Sequence, residues 1–324
     1  MSPFHRAIYL TGPTAVGKTA VGVELARRLD AEVVALDSMT LYRRMDIGTA
    51  KPTPAERGGI PHHLLDVLEP SEAATVADYR RWAGAAVARI EAAGRRALFV
   101  GGTPLYLKAL LRGLFEAPAA PPGVRAELEA EADRVGDAAL HDRLRAVDPA
   151  SAARLHPNDR RRVVRALEVA VATGRPLSKL QVEHDRPAPS TVAVLALDRP
   201  RAEVRKRIDF RAGRMFADGL VDEVRGLLAE SPPLNPVPGQ GAGYREAADL
   251  IAGRVDLATA VERTRARTRQ LAKRQATWFR GLAEVRAFPV DPGESAGAIA
   301  DRLAARVAAI EAGNCPSPIP PDRV

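Results

Sequence analysis

Residues Gly12, Pro13, Thr14, Ala15, Val16, Gly17, Lys18 and Thr19 follow each other in the order G-x-x-x-x-G-K-[ST]. That spacing is a phosphate-binding loop. Its glycines let the chain turn tightly, so that backbone N–H groups and the positive end of the next helix converge on an anion. All eight residues are expected to cradle a pyrophosphate. Lys18 is expected to reach the terminal phosphates and the Thr19 hydroxyl to sit beside a Mg2+ ion, the expected metal. The bland alternative is a glycine-rich turn that binds nothing. A second candidate is Asp37, directly after the apolar run Val33, Val34, Ala35, Leu36. A carboxylate at a strand tip can take a proton from a nucleophile that attacks a molecule held in the loop. It can equally cap the next segment.

These residues need elements to hold them. The run Ala7, Ile8, Tyr9, Leu10 reads as a buried strand. Lys18 onward reads as a helix with Val21, Leu25, Ala26 and Leu29 on one face. A third strand, 97–100, ends in Gly101-Gly102-Thr103 without the magnesium-binding Asp that nucleotide-hydrolysing loops usually place there. Thr103 suits a helix N-cap and Pro104 the first helical turn. A second helix end is therefore expected near the loop, either as an ordinary cap or as a second grip on pyrophosphate. Arg207, Arg211 and Arg214 are spaced four and three apart, which puts them on one helix face. They would face an anion or solvent.

The predicted fold is α/β: a P-loop NTPase-like parallel sheet flanked by helices, with an all-helical insertion domain. The core domain is expected to be discontinuous, 1–116 and 186–312. The helical insertion spans 117–185 and a disordered tail 313–324. Helices are expected over 74–93, 104–111, 201–217, 220–228, 244–251, 257–282 and 296–310. A return to the sheet is expected at 192–196 and a last strand at 284–288. At 324 residues, 46% hydrophobic and 27% charged, the chain has ample material for a core. It has no apolar stretch long enough for a bilayer and no signal-peptide core, so a cytoplasmic monomer without membrane contact is expected. Its one cysteine, Cys315, excludes an internal disulfide and a cysteine-cluster metal site. His62 and His63 lack further ligands at metal-binding spacing and read as loop or packing residues. Tyr79 and Trp82 read as core.

The net charge of +8 permits a polyanionic partner. Between Arg254 and Arg280 eight basic residues face two acids, and Trp278, Phe279 and nearby Tyr244 offer stacking surfaces. The insertion carries a second cluster, Arg154, Arg160, Arg161, Arg162 and Arg165. Two such clusters suit a nucleic-acid backbone gripped from two sides, with looped RNA favoured for a site that reads an unstacked base. The alternative is solvated charge on long helices.

With these pieces in order, the chain resembles the bacterial tRNA dimethylallyltransferases, also called tRNA isopentenyltransferases or the IPP transferase family. The likeness runs from the first strand to about residue 279. It rests on the loop 12–19, DSMTLY at 37–42, DIGTAKP at 46–52, HHLLD at 62–66 and GGTPLY at 101–106. HPND at 156–159, RALE at 165–168, GYRE at 243–246, TRQLAKRQ at 268–275 and TWF at 277–279 complete it. The resemblance implies transfer of dimethylallyl from its pyrophosphate to the exocyclic amine of the adenine 3′ of the anticodon. Asp37 would take the amine proton, and Thr103 and Arg211 would contact the departing pyrophosphate. The base would be flipped into a channel. The tRNA anticodon stem-loop would meet Asp37, Ser38, Met39 and Thr40, then Arg161, Arg162, Val163, Val164 and Arg165, then Arg269, Lys273 and Arg274. Thr40, Pro104 and Leu271 stand where the family often has Gln, Gly and Tyr. Rival readings are an adenylate isopentenyltransferase, a P-loop small-molecule kinase and a non-catalytic RNA-binding protein.

Overall fold

The structure is a computed structural model and describes residues 2–114, 120–184 and 186–314. The expected boundary at 117 and the tail from 315 onward, Cys315 included, lie outside the described residues. In chain order the elements are β1 (Ile8–Thr11), α1 (Lys18–Leu29), β2 (Ala31–Ala35), α2 (Pro54–Arg57), β3 (His62–His63), α3 (Val76–Ala92), β4 (Arg96–Val100) and α4 (Pro104–Arg112). Five helices follow: α5 (Val124–Val135), α6 (Asp137–Val147), α7 (Pro149–Arg154), α8 (Arg160–Thr173) and α9 (Leu177–His184). The chain then makes β5 (Val194–Asp198), α10 (Arg201–Ala217), α11 (Leu220–Leu228), α12 (Pro236–Gly239), α13 (Tyr244–Ile251), α14 (Leu257–Arg280), β6 (Arg286–Pro289) and α15 (Ala296–Glu311).

Among the described residues the strands form one parallel sheet in the order β3-β2-β4-β1-β5-β6. Parallel sheets are covered on both faces, so their strands read as continuous apolar runs. Strand periodicity sends alternate residues to opposite layers. Ile8 and Leu10 of β1 pack with α1 and α15 residues such as Val21, Leu25, Ile299 and Leu303. Tyr9 between them packs in the other layer with Phe99 and Tyr79. The Tyr9 and Phe99 rings stack at 5.0 Å, and the Tyr9 hydroxyl donates to Phe4 O at 2.8 Å. Tyr79 is fully buried, stacks on Tyr106 at 3.9 Å and donates to Ala35 O, whereas Trp82 is only half-buried. His62 and His63, expected as loop or packing residues, are not loop: they form β3, paired in register with Val33 and Val34. Two residues are too few to show a strand's periodicity.

The chain divides into two compact units, Met1–Leu111 with Ala188–Val324, and Arg112–Pro187. The second contains α5 to α9. Its core is Leu128, Ala132, Leu140, Leu144, Ala152, Val163, Val164, Ala166 and Leu167. The buried Asp148 joins two of its helix starts, accepting from Ser151 N and Oγ and from Ser178 N and Oγ at 2.6–3.0 Å. Arg125 forks onto Glu168 at 2.8 and 2.9 Å.

Candidate active site

The site lies where the C-terminal ends of β1, β2 and β4 meet, the edge of a parallel sheet where ligands bind. The turn after β1 takes backbone angles that glycine favours. Gly12 has φ 133°, and a Cβ there would fall 2.8 Å from Leu197 O. Gly101, after β4, lies so close to the end of β2 that a Cβ would fall 2.1 Å from Leu36 O. Ala15 is left-handed at φ 68°, a conformation costing a non-glycine residue about 1–2 kcal/mol.

Arginines hold the outer side of this loop. Arg207 Nε donates to Ala15 O and Arg199 Nε to Val16 O, both at 2.8 Å. In a trans peptide the N–H points opposite its carbonyl, so the N–H groups of Val16 and Gly17 face away from these arginines, and Gly17 lines the first cavity. Lys18 Nζ curls back onto Gly12 O at 2.9 Å and Pro13 O at 2.7 Å. Arg211 Nη2 donates to the Thr14 hydroxyl, and the Thr14 N–H is taken by Gln275 Oε1 at 2.8 Å. Asp37 follows β2 by two residues. Its Oδ1 accepts from Met39 N at 2.8 Å and the Thr40 N–H also points to the carboxylate, so the carboxylate does cap the following turn. Thr103 Oγ1 accepts from Ser38 N at 3.1 Å, joining the turn after β4 to the acid-bearing loop.

Two cavities meet here. The first, of about 810 Å³, is lined by Gly17, Lys18, Thr19, Asp37, Arg207 and Arg211, with an apolar wall that includes Val23, Val100 and Leu65. The second, of about 580 Å³, is lined by Lys18, Asp37, Ser38, Met39, Thr103 and Arg211, with Gln270, Leu271 and Arg274 from α14. Thr14, Lys18, Asp37, Thr49 and Arg211 wall both. Burial lowers the Lys18 ammonium to about 7, with Asp37 opposing the shift and Arg211 adding to it. Burial raises the Asp37 carboxyl, against its hydrogen bond from Met39 and the Lys18 charge. Burial likewise lowers the Arg211 guanidinium, with Asp37 opposing. The Asp37 carboxylate and two buried cations therefore share one wall, and the cations, Lys18 and Arg211, are short of counter-charge that a pyrophosphate would supply.

No cluster of three His, Cys, Asp or Glu that could hold a metal occurs among the described residues. Thr19 and Asp37 both line the first cavity. Such a sparse donor set fits magnesium, which keeps most of its shell on water and substrate phosphates.

The expected RNA-facing residues divide. Ser38 and Met39 line the second cavity, but Thr40 is buried at 7% exposure and lines the first. Val163 and Val164 are corrected to packing residues: they sit at 0% and 1% exposure in the helical unit's core, so their side chains cannot reach RNA. Arg161, Arg162 and Arg165 of the same helix are exposed, with Arg162 and Arg165 near Asp159 and Glu168. On α14 the basic residues face two ways. Arg274 lines the second cavity, while Arg269 and Lys273 line a third, of about 1010 Å³ between α10, α14 and the end of β6. Arg269 is bound to Asp209 at 2.7 Å and so is neutralised within the protein. Tyr244 is no stacking platform: it is 1% exposed and donates to Glu223 Oε1 at 2.6 Å. Glu223 also accepts from the N–H groups of Asp46, Ile47 and Gly48, tying α11 to the loop that walls both cavities.

Sequence reasoning left Gln275 and Glu223 without roles. A signal for Gln275 was present. Thr264, Thr268, Ala272, Gln275 and Phe279 form the buried stripe of α14, and an amide in such a stripe needs partners.

A parallel α/β sheet with the G-x-x-x-x-G-K-T loop after its first strand, and no acid directly after β4, defines a protein of the P-loop fold. A model of the IPP transferase family matches residues 40–282. The chain is 49% identical over 279 residues to the tRNA dimethylallyltransferase of Geobacter sulfurreducens, covering 85% of this chain and 89% of that one. It is 47% identical over 296 residues to that of Syntrophobacter fumaroxidans, covering 90% and 85%. The full-length tRNA isopentenylpyrophosphate transferase of Bacillus halodurans superimposes with a TM-score of 0.69 at 37% identity, covering 95% of this chain and 98% of that one. A eukaryotic dimethylallyltransferase acting on tRNA superimposes with 0.80 at 26% identity, covering 96% and 80%. The chain belongs to the IPP transferase family.

Proposed function

We propose that this protein transfers a dimethylallyl group from dimethylallyl pyrophosphate to the exocyclic amine of the adenine 3′-adjacent to the anticodon of tRNA. The observation that carries this reading is the shared wall of the two cavities. Lys18, Asp37 and Arg211 face both, so a pyrophosphate held by the loop and a base entering from the second cavity would meet beside one carboxylate. The amine nitrogen forms a bond to the allylic carbon, and the carbon–oxygen bond to pyrophosphate breaks with its electron pair. Asp37 accepts the amine proton. The Val16 and Gly17 N–H groups, Lys18, Arg211 and Thr103 stabilise the charge that develops on the leaving group. Thr19 would hold magnesium together with the phosphate oxygens, and the ion would supply further neutralisation of that charge.

Arg274 at the second cavity and Arg161, Arg162 and Arg165 on the helical unit are the cations proposed to meet tRNA phosphates. No helix among the described residues is long and apolar enough to cross a membrane, which fits our proposal of a cytoplasmic enzyme. Labelled dimethylallyl pyrophosphate offered with unmodified tRNA, AMP or no acceptor tests the reading. Label is expected on tRNA alone, and label on AMP would overturn it.

A further inference from the structure

We propose that Gln275 is a positioning residue that sets the spacing of the two pyrophosphate-binding segments. The inference rests on the transfer reaction proposed above. The Gln275 side chain is 8% exposed and both ends of its amide are engaged. Oε1 accepts from the N–H of Thr14 in the phosphate loop at 2.8 Å, and Nε2 donates to Gly102 O in the turn after β4 at 2.6 Å. One planar group therefore bridges the loop after β1 and the turn that leads into Thr103. The bridge has no slack: a Cβ on Gly102 would fall 2.8 Å from Gln275 Nε2 and 3.4 Å from Lys18 Nζ.

The bridge is anchored in α14, the helix whose next residue back, Arg274, lines the second cavity. Thr14 is thus held from two helices, its N–H by Gln275 of α14 and its hydroxyl by Arg211 of α10. Gln275 lines the second cavity but supplies no charge, and its amide is engaged by Thr14 N–H and Gly102 O, so it acts on pyrophosphate through Thr14, Gly102 and Thr103. A primary amide offers a donor and an acceptor at that spacing without charge. A carboxylate would keep the Thr14 contact but face Gly102 O without a proton to give. An apolar side chain would leave both backbone groups buried and unpaired.

The test is a comparison of Gln275→Leu and Gln275→Glu with wild type, reading inorganic pyrophosphate affinity by calorimetry, KM for dimethylallyl pyrophosphate, and tRNA affinity measured without pyrophosphate. In Gln275→Leu, pyrophosphate affinity and KM are expected to worsen together by about 5- to 100-fold, the range for stranding buried hydrogen-bonding groups. Gln275→Glu is expected to fall between Leu and wild type. Affinity for tRNA should stay within about twofold, because both ends of the amide are already engaged by backbone groups of the protein. Unchanged pyrophosphate affinity in a folded Gln275→Leu would overturn the proposal, and so would tRNA affinity falling in step. Should Gln275→Leu not fold, Gly102→Ala displaces the same amide from the opposite side and is expected to give the same signature, its absence counting against the proposal. The calorimetry needs no acceptor, so its outcome stands apart from whether wild type prenylates tRNA.

Discussion

Asp37 has two candidate roles, proton acceptor and loop cap, and a pair of substitutions separates them. Its Oδ1 caps the loop by accepting from Met39 N at 2.8 Å. Asn keeps an oxygen at that position but loses the proton acceptor and its charge beside Lys18 and Arg211, whereas Ala loses the cap as well. A lost side-chain cap costs about 0.5–2 kcal/mol, or roughly 2- to 30-fold if all of it reached the transition state. A lost general base costs about 100- to 10,000-fold. Single-turnover transfer from labelled dimethylallyl pyrophosphate to saturating tRNA is the assay. Asp37→Asn is expected to slow the chemical step about 100-fold or more, with Asp37→Ala slower again by up to about 30-fold and tRNA affinity little changed in either. The pH profile adds a second reading. Only the carboxylate accepts a proton, and burial raises this carboxyl. Activity should therefore be retained above its raised value and lost as pH falls through it, at a higher pH than the ordinary Asp value near ~4. That acid limb should vanish in Asp37→Asn. A near-normal Asp37→Asn beside a slow Asp37→Ala would show the residue to be a cap and nothing more.

Thr103→Ala and Arg211→Ala are each expected to slow transfer by about 10- to 1000-fold at saturating tRNA, as lost anion-stabilising donors do. A variant of either that loses tRNA affinity but keeps its saturated rate would remove that residue from the pyrophosphate site. Lys18, lowered to about 7 by burial, should regain its proton when pyrophosphate binds. Calorimetry at pH 8 in buffers of different ionisation enthalpy should detect that uptake, with affinity falling as pH rises through this range. Lys18→Arg, which stays charged, should lack this contribution. Removing charge at Arg161 or Arg274 should weaken tRNA binding and flatten its salt dependence by about one phosphate contact each. Arg269→Gln should leave the slope nearly unchanged, because Asp209 already neutralises that guanidinium. Identical slopes in all three variants would mark these charges as a solvated face.

The phosphate loop, the α/β class and the order of most elements were legible in the sequence because each rests on local rules. Glycine spacing sets the loop, continuous apolar runs mark strands buried on two faces, and helical periodicity marks α1, α10 and α14. The strand β3 escaped because its two residues take their conformation from pairing with Val33 and Val34, which lie about thirty positions away. Val163 and Val164 stood in a row with exposed arginines, and only packing against Leu128 and Leu144 shows that they turn inward.

By itself, the sequence determined which groups are present: a P-loop motif, one acid at a strand tip, a threonine and proline at a helix start and a surplus of arginine. Only the tertiary structure decided what those groups face. Residues 37, 103, 211 and 275 come together because β1, β2 and β4 end on one edge of the sheet while α10 and α14 pack beside it. Folding also chose among like charges. Arg269 and Arg274 lie five positions apart on one helix, yet one is spent on Asp209 and the other lines the second cavity. At 100° per residue, five steps turn a side chain to a different face, and only the neighbours packed there decide whether its charge is available.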